Sequence, residues 1–192
     1  MCKENVAFSK YLSFLLRHHP EEIDLNMDNQ GWVLVDELIE KVNNNTDFNV
    51  DLDMLKSEVK LNSKQRFALE DREGILYIRA NQGHSIKKLD MQYESIKPPK
   101  VLYHGTGAKY INSILKNGLI SKNRQYVHLS KDIKTAKSVG SRHGSIRVLE
   151  IDAERMYNDG MKFYCSENGV WLTLFVYKKY LRIMTREEIK NG

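Results

Sequence analysis

Arg66-Phe-Ala-Leu-Glu-Asp-Arg-Glu-Gly-Ile-Leu-Tyr-Ile78 sets two apolar runs, 66–69 and 75–78, around the polar stretch Asp71-Arg-Glu-Gly74. This spacing predicts a β-hairpin with its turn near Gly74. Ahead of it the apolar period changes. Phe8, Tyr11, Leu12 and Leu15 recur at three- and four-residue intervals, the mark of an amphipathic helix, and Pro20 ends that helix near His18-His19 because it drives the preceding residue out of helical conformation. Residues 31–35 read as a short extended run. Asp36 is then expected to cap a helix through about residue 42, with Leu38, Ile39 and Val42 inward, and Asp51 to cap another carrying Leu52, Leu55 and Val59. Helices followed by a hairpin is the order of a winged-helix module, an order that other small α+β lobes share.

Beyond the hairpin the periodicity fades and Pro98-Pro99 stiffens the chain. Residues 86–100 are therefore read as a linker between a lobe at 1–85 and a second at 101–192. In the second lobe, Val101-Leu-Tyr-His104 predicts a strand, and residues 108–117 a helix with Tyr110, Ile111, Ile114 and Leu115 inward and Gly118 at its stop. Strands are expected at 126–129, 146–151, 162–164 and 170–176, and a helix at 131–139. Many short strands with few helices suggest a split mixed sheet. No G-x-G-x-x-G opens a helix after a strand, so a dinucleotide site, if present, is not of the doubly wound kind.

The chain of 192 residues is 41% hydrophobic, long enough to bury a core without staples. Lys and Arg number 30 against 25 Asp and Glu, a net charge of +5 that suits a polyanionic partner without requiring one. Cys2 and Cys165 match neither a disulfide framework nor a zinc pattern. No apolar run makes a signal peptide or a membrane span, so a cytoplasmic protein with no membrane partner is expected. The 6 histidines show no helical ligand spacing, and no metal is expected.

Five segments carry groups able to do chemistry. In Leu16-Arg17-His18-His19-Pro20 a guanidinium, whose planar fork matches phosphate oxygens, adjoins an imidazole that titrates near neutrality. A solvated helix end has the same appearance. In Tyr103-His104-Gly105-Thr106 a strand delivers an imidazole and then a glycine that lets a ligand approach the backbone, as a plain turn also would. Alternation along Arg124-Gln-Tyr-Val-His128-Leu-Ser130 puts Arg124, Tyr126 and His128 on one strand face, with Ser130 placed to cap the following helix. Gly140-Ser-Arg142-His-Gly144 offers a loop charge, and Glu167-Asn-Gly-Val-Trp171-Leu-Thr173 a tryptophan that is more often core than platform.

Taken in order with Lys64-Gln-Arg66-Phe67 and Gln82-Gly-His-Ser85, these segments resemble the RNA 2'-phosphotransferase family from about residue 8 to residue 182. The resemblance implies an N-terminal winged-helix-like RNA lobe and a C-terminal ADP-ribosyltransferase-like lobe, with NAD as co-substrate and 2'-phosphorylated, tRNA-like RNA as partner. It implies that the RNA 2'-phosphate attacks C1'' of the NAD ribose and expels nicotinamide. The ribose 2''-OH then attacks the phosphate, releasing ADP-ribose 1'',2''-cyclic phosphate and RNA with a 2'-OH. The family's catalytic group falls on Arg17, His18, Arg66 and Arg124, with His18 preferred over His19 because it follows the arginine directly. The NAD contacts fall on His104, Gly105, Thr106, His128, Ser130 and Arg142. Many protein-modifying ADP-ribosyltransferases place a glutamate on the late strand where this chain has Val170. Three arginines around one phosphate agree with the need to stabilise charge spread over its oxygens.

A monomer is expected. Two other functions stay open at this level: an ADP-ribosyltransferase of the same fold that leaves a stable cap on terminal nucleic-acid phosphates, and a non-enzymatic winged-helix nucleic-acid-binding protein.

Overall fold

The computed structural model describes residues 5–86, 91 and 93–191, so Cys2 and part of the expected linker lie outside the described residues. The chain divides into two compact units, Met1–Gln92 and Tyr93–Gly192, each α+β and each with its own apolar core.

In the first unit, helix α1 (Val6–Arg17) opens on Asn5, whose Oδ1 accepts the Phe8 N–H at 3.1 Å. Its inward stripe, Phe8, Leu12, Leu15 and Leu16, is completely buried, which is the expected consequence of the three-to-four spacing. After a 3-10 turn at Pro20–Ile23 come strand β1 (Val33–Leu34), helix α2 (Val35–Asn45) and helix α3 (Leu52–Leu61). The hairpin follows as β2 (Phe67–Arg72) and β3 (Ile75–Ala80), and β3 also pairs with β1, giving an antiparallel sheet ordered β1-β3-β2. Glu73 and Gly74 both take positive φ, 55° and 84°, as a two-residue hairpin turn matched to strand twist requires.

Two expectations fail in detail here. Asp36 does not cap α2; the helix starts one residue earlier, straight from β1, and Asp36 lies in its first turn, where a carboxylate faces the positive end of the helix dipole. Asp51 does cap α3, with Oδ1 accepting from Met54 N–H at 2.7 Å, but Leu52 is 38% exposed while Leu55 takes the core position.

The second unit runs β4 (Val101–Gly107), α4 (Ile111–Asn117), β5 (Leu119–Ile120), β6 (Val127–Leu129), α5 (Ile133–Gly140) and β7 (Ile146–Asp152). It continues with α6 (Ala153–Asn158), β8 (Tyr164–Cys165), β9 (Trp171–Thr173), β10 (Phe175–Val176), β11 (Leu181–Ile183) and α7 (Arg186–Asn191). The sheets are β11-β7-β4, β6-β9-β8 and β10-β5, and every described strand pair is antiparallel, so the sheets are not mixed. Residues 108–110 form a 3-10 turn ahead of α4, which leaves Leu115 45% exposed instead of inward. The strand expected at 170–176 breaks at Leu174, which is 64% exposed, and each half pairs with a different sheet. Trp171 belongs to the core.

Two glycines decide how α5 sits on β4. A Cβ on Gly105 would stand 1.7 Å from the Ala136 carbonyl oxygen, and one on Gly140 would stand 2.9 Å from Thr106 N. Backbone therefore meets backbone, an approach that only a residue without a side chain permits.

Candidate functional site

The first unit gathers Arg17, His18 and Arg66 around one groove of about 300 Å³, lined also by Lys10 and Phe14. Arg17 is the last residue of α1 and His18 its C-cap, with its backbone N–H donating to Phe14 O at 3.0 Å. Both stand at the negative end of the helix dipole, which favours cations.

The segment 82–85 wraps this helix end. Ser85 N–H donates to Arg17 O at 3.0 Å, and Ser85 Oγ is hydrogen-bonded to His18 Nδ1 at 3.0 Å. Gly83, at φ 91°, lies against the Arg17 side chain, where a Cβ would be 3.6 Å from Cδ and Nη1. His84 is 3% exposed, and its Nε2 has no hydrogen-bond partner among the described residues. Burial first, and then the charges of Arg17, Arg79 and His18, push the His84 pKa from 6.5 down to about 3, so the ring is neutral at physiological pH.

Arg66 stands just ahead of β2, one residue outside the strand expected to contain it. Its backbone N–H and its Nη1 donate to Asn62 Oδ1 at 3.1 and 3.2 Å, and Asn62 Nδ2 donates to Ser9 Oγ on α1 at 2.9 Å. Asn62 and Ser9 are 2% and 3% exposed. This buried polar bridge fixes Arg66 relative to α1, which is how residues 49 positions apart in sequence come to line the same groove. Sequence reasoning missed Ser9 and Asn62 altogether. It singled out Gln82-Gly-His-Ser85 as a motif but assigned no role to His84 or Ser85.

In the second unit β4 and β6 meet through a bridge between Tyr103 and Ser130, with Tyr103 N–H donating to Ser130 O at 2.8 Å and Ser130 N–H to Tyr103 O at 2.7 Å. That bridge brings His104, His128 and Ser130 together. His104 Nδ1–H donates to His128 O at 2.9 Å and His128 Nδ1–H donates to Tyr126 O at 3.1 Å, so each ring, in its neutral form, has its acceptor at Nε2. Thr106, 5% exposed, lies further along β4, and Arg142 is exposed on the 3-10 turn Ser141–His143 that packs at the same end of the strand.

Three expectations change here. Ser130 does not cap α5; Asp132 does, accepting from Thr135 N–H at 2.7 Å, because Ser130 is held in the bridge to β4. Gly105 is required by the approach of Ala136, so its missing side chain makes room for α5. Arg124 and Tyr126 lie in bends before β6, so they do not share a strand face with His128. Tyr126 instead packs edge-on against Tyr93 and Tyr164, at ring separations of 6.0 and 5.4 Å. Arg124 keeps a solvent-accessible side chain, while the atoms around it displace enough water to lower its pKa; a guanidinium so shifted remains a cation at neutral pH.

Imidazole acceptors, hydroxyls and a guanidinium are a donor and acceptor set suited to ribose hydroxyls and a pyrophosphate. Among the described residues no group of three His, Cys, Asp or Glu side chains is placed to hold a metal ion, and no helix is long and apolar enough to cross a membrane.

A family model described as "RNA 2'-phosphotransferase, Tpt1 / KptA family" matches residues 3–174. A protein of Nostoc punctiforme named "Probable RNA 2'-phosphotransferase" is 49% identical over 177 residues, 92% of this chain and 96% of its own length. Proteins with the same name from Pectobacterium atrosepticum and Fusobacterium nucleatum are 47% and 43% identical, covering 90% and 93% of this chain and 94% and 98% of their own lengths.

Proposed function

We propose, because this chain belongs to the RNA 2'-phosphotransferase, Tpt1 / KptA family, that it removes an internal RNA 2'-phosphate, as at a tRNA splice junction, in an NAD-dependent reaction. The observation that carries the reading is the convergence of Arg17, His18 and Arg66 on one groove, with Ser85 on His18 and Asn62 on Arg66. The first unit acts as a winged-helix-like RNA lobe and the second as an ADP-ribosyltransferase-like NAD lobe. The protein works as a cytoplasmic monomer.

When bound, NAD supplies the ribose that accepts the phosphate and the nicotinamide that leaves. The residues of the chain do the rest. Arg17 and Arg66 bind the phosphate oxygens and stabilise the charge that spreads over them as the phosphate changes partners, and the family resemblance assigns Arg124 to the same catalytic group. Ser85 Oγ accepts from His18 Nδ1–H, which leaves Nε2 as the basic nitrogen to take the ribose hydroxyl proton in the second step. His104 and His128 accept from ribose hydroxyls through Nε2, Thr106 and Ser130 add hydroxyl contacts, and Arg142 pairs with the pyrophosphate. Val170 stands where related enzymes use a glutamate, so the anionic phosphate serves as its own nucleophile.

The test is incubation of the purified protein with internally 2'-phosphorylated RNA, with and without NAD, followed by product analysis. Loss of the phosphate only with NAD, together with ADP-ribose 1'',2''-cyclic phosphate and nicotinamide, is the expected result. Phosphate release without NAD, or none, rejects it. Arg17→Ala, His18→Ala, Arg66→Ala and Arg124→Ala each stall the second step and accumulate 2'-phospho-ADP-ribosylated RNA. Each arginine contact is worth roughly 1.5–3 kcal/mol and the proton transfer ~10²–10⁴-fold. Normal turnover by all four variants rejects the residue assignment.

A further inference from the structure

We infer that the groove extends the 2'-phosphate site into a track for the neighbouring RNA strand, with Lys10 pairing a phosphodiester beside the modified nucleotide and Phe14 stacking a flanking base. The inference rests on reading Arg17, His18 and Arg66 as the phosphate site.

The groove of about 300 Å³ is much larger than a phosphoryl group, and it runs along the face of α1 opposite the buried stripe. Val6, Lys10, Ser13, Phe14 and Arg17 recur there at helical spacing, so they form one continuous strip. Two of them are apolar and stay in solvent, Val6 at 57% and Phe14 at 38% exposure. Phe14 is held in place on both sides, with the His19 ring 4.7 Å away and the Tyr11 ring stacked at 6.3 Å. That contact gives His19 a role apart from catalysis: it supports Phe14, while its Nδ1 bonds Glu21 at 2.9 Å.

The charge pattern selects the occupant. No carboxylate lines the groove among the described residues, and Lys10 has no ion-pair partner among them. Lys10 stands two helical turns before Arg17, about 10 Å along the axis, a distance that a single strand covers with a neighbouring phosphodiester. A basic groove interleaved with a held aromatic ring is how single-stranded nucleic acid is bound irrespective of sequence, the cations meeting the backbone and the ring a base.

The experiment compares two substrates of the full-length protein, a nucleoside 2'-monophosphate and a 2'-phosphorylated oligonucleotide. KM is measured for both, and oligonucleotide binding is measured without NAD across a KCl series. Lys10→Ala is expected to weaken oligonucleotide binding and to lower the salt slope by about one counterion. Phe14→Ala, and Phe14→Leu, which keeps apolar bulk without the ring, are expected to weaken it by about fivefold or more. In each variant the loss on the oligonucleotide exceeds the loss on the mononucleotide. Equal losses on both substrates, or no change in affinity and salt slope, overturn the track. A wild-type protein that releases no phosphate from either substrate yet shows the Lys10-dependent salt slope overturns the phosphotransferase reading and keeps the track.

Discussion

Ser85 and His84 are neighbours in sequence but bear on the site through different physics. The Ser85 Oγ to His18 Nδ1 hydrogen bond of 3.0 Å orients the imidazole. Losing one such bond costs roughly 0.5–1.5 kcal/mol, so Ser85→Ala lowers kcat about three- to tenfold with little change in KM, and Ser85→Thr restores it. Steady-state kinetics with a pH–rate profile checks this, since a merely structural loss would leave the profile in place. His84 is predicted to act on stability. Its folded pKa of about 3 lies below the ordinary 6.5, so the unfolded chain binds the extra proton between those values. The stabilisation associated with the neutral ring is present above about pH 6.5 and is lost as pH falls toward 3, at up to about 1.4 kcal/mol per pH unit for one proton. Denaturant unfolding at pH 7, 6, 5 and 4 is expected to show this slope in the wild type and a shallower one in His84→Gln.

At the scale of elements, the contact between β4 and α5 tolerates least. Gly105→Ala would place a methyl group 1.7 Å from the Ala136 carbonyl oxygen and 2.6 Å from its carbon, and backbone cannot yield as a flexible side-chain tip would. The cost is expected to reach or exceed the upper end of the ~1–3 kcal/mol seen for ordinary overpacking, read from urea unfolding. Asp132→Ala tests the other end of α5: losing the cap on Thr135 should cost ~1 kcal/mol, whereas Ser130→Ala should leave helix stability unchanged. The expectation that Ser130 caps α5 fails for a reason invisible in local sequence. A serine directly ahead of the helix expected at 131–139 fits a cap on composition alone, and only the pairing of Ser130 with Tyr103 commits its backbone elsewhere.

Across the whole molecule, each unit buries its own core, the first around Phe8, Leu12, Leu15 and Ile78, the second around Leu102, Leu149, Ile151 and Phe163. Leu15→Ala and Leu149→Ala remove completely buried side chains and should each cost ~2–5 kcal/mol. The two residues belong to separate apolar clusters with no member in common, so in the double variant the costs should add within ~0.5 kcal/mol. A coupling well above that, measured by chemical denaturation, would mean that the cores are not independent.

Local pattern alone determined the helical stripe of α1, its end before Pro20, the hairpin across Glu73-Gly74, the cap at Asp51 and the glycine stop at Gly118, because each depends on residues a few positions apart. The ordered motifs also singled out Arg17 and His18, whose residue types suit phosphate chemistry, while Arg66 came in only through the family resemblance. What local pattern could not supply was which long-range partner wins. The Ser9–Asn62–Arg66 bridge, the grip of residues 82–85 on the end of α1, and the approach of Ala136 to Gly105 all join segments far apart in the chain. Such contacts exist only after the backbone has closed on itself, because their energies depend on burial and distance, and neither is a property of a short stretch of sequence.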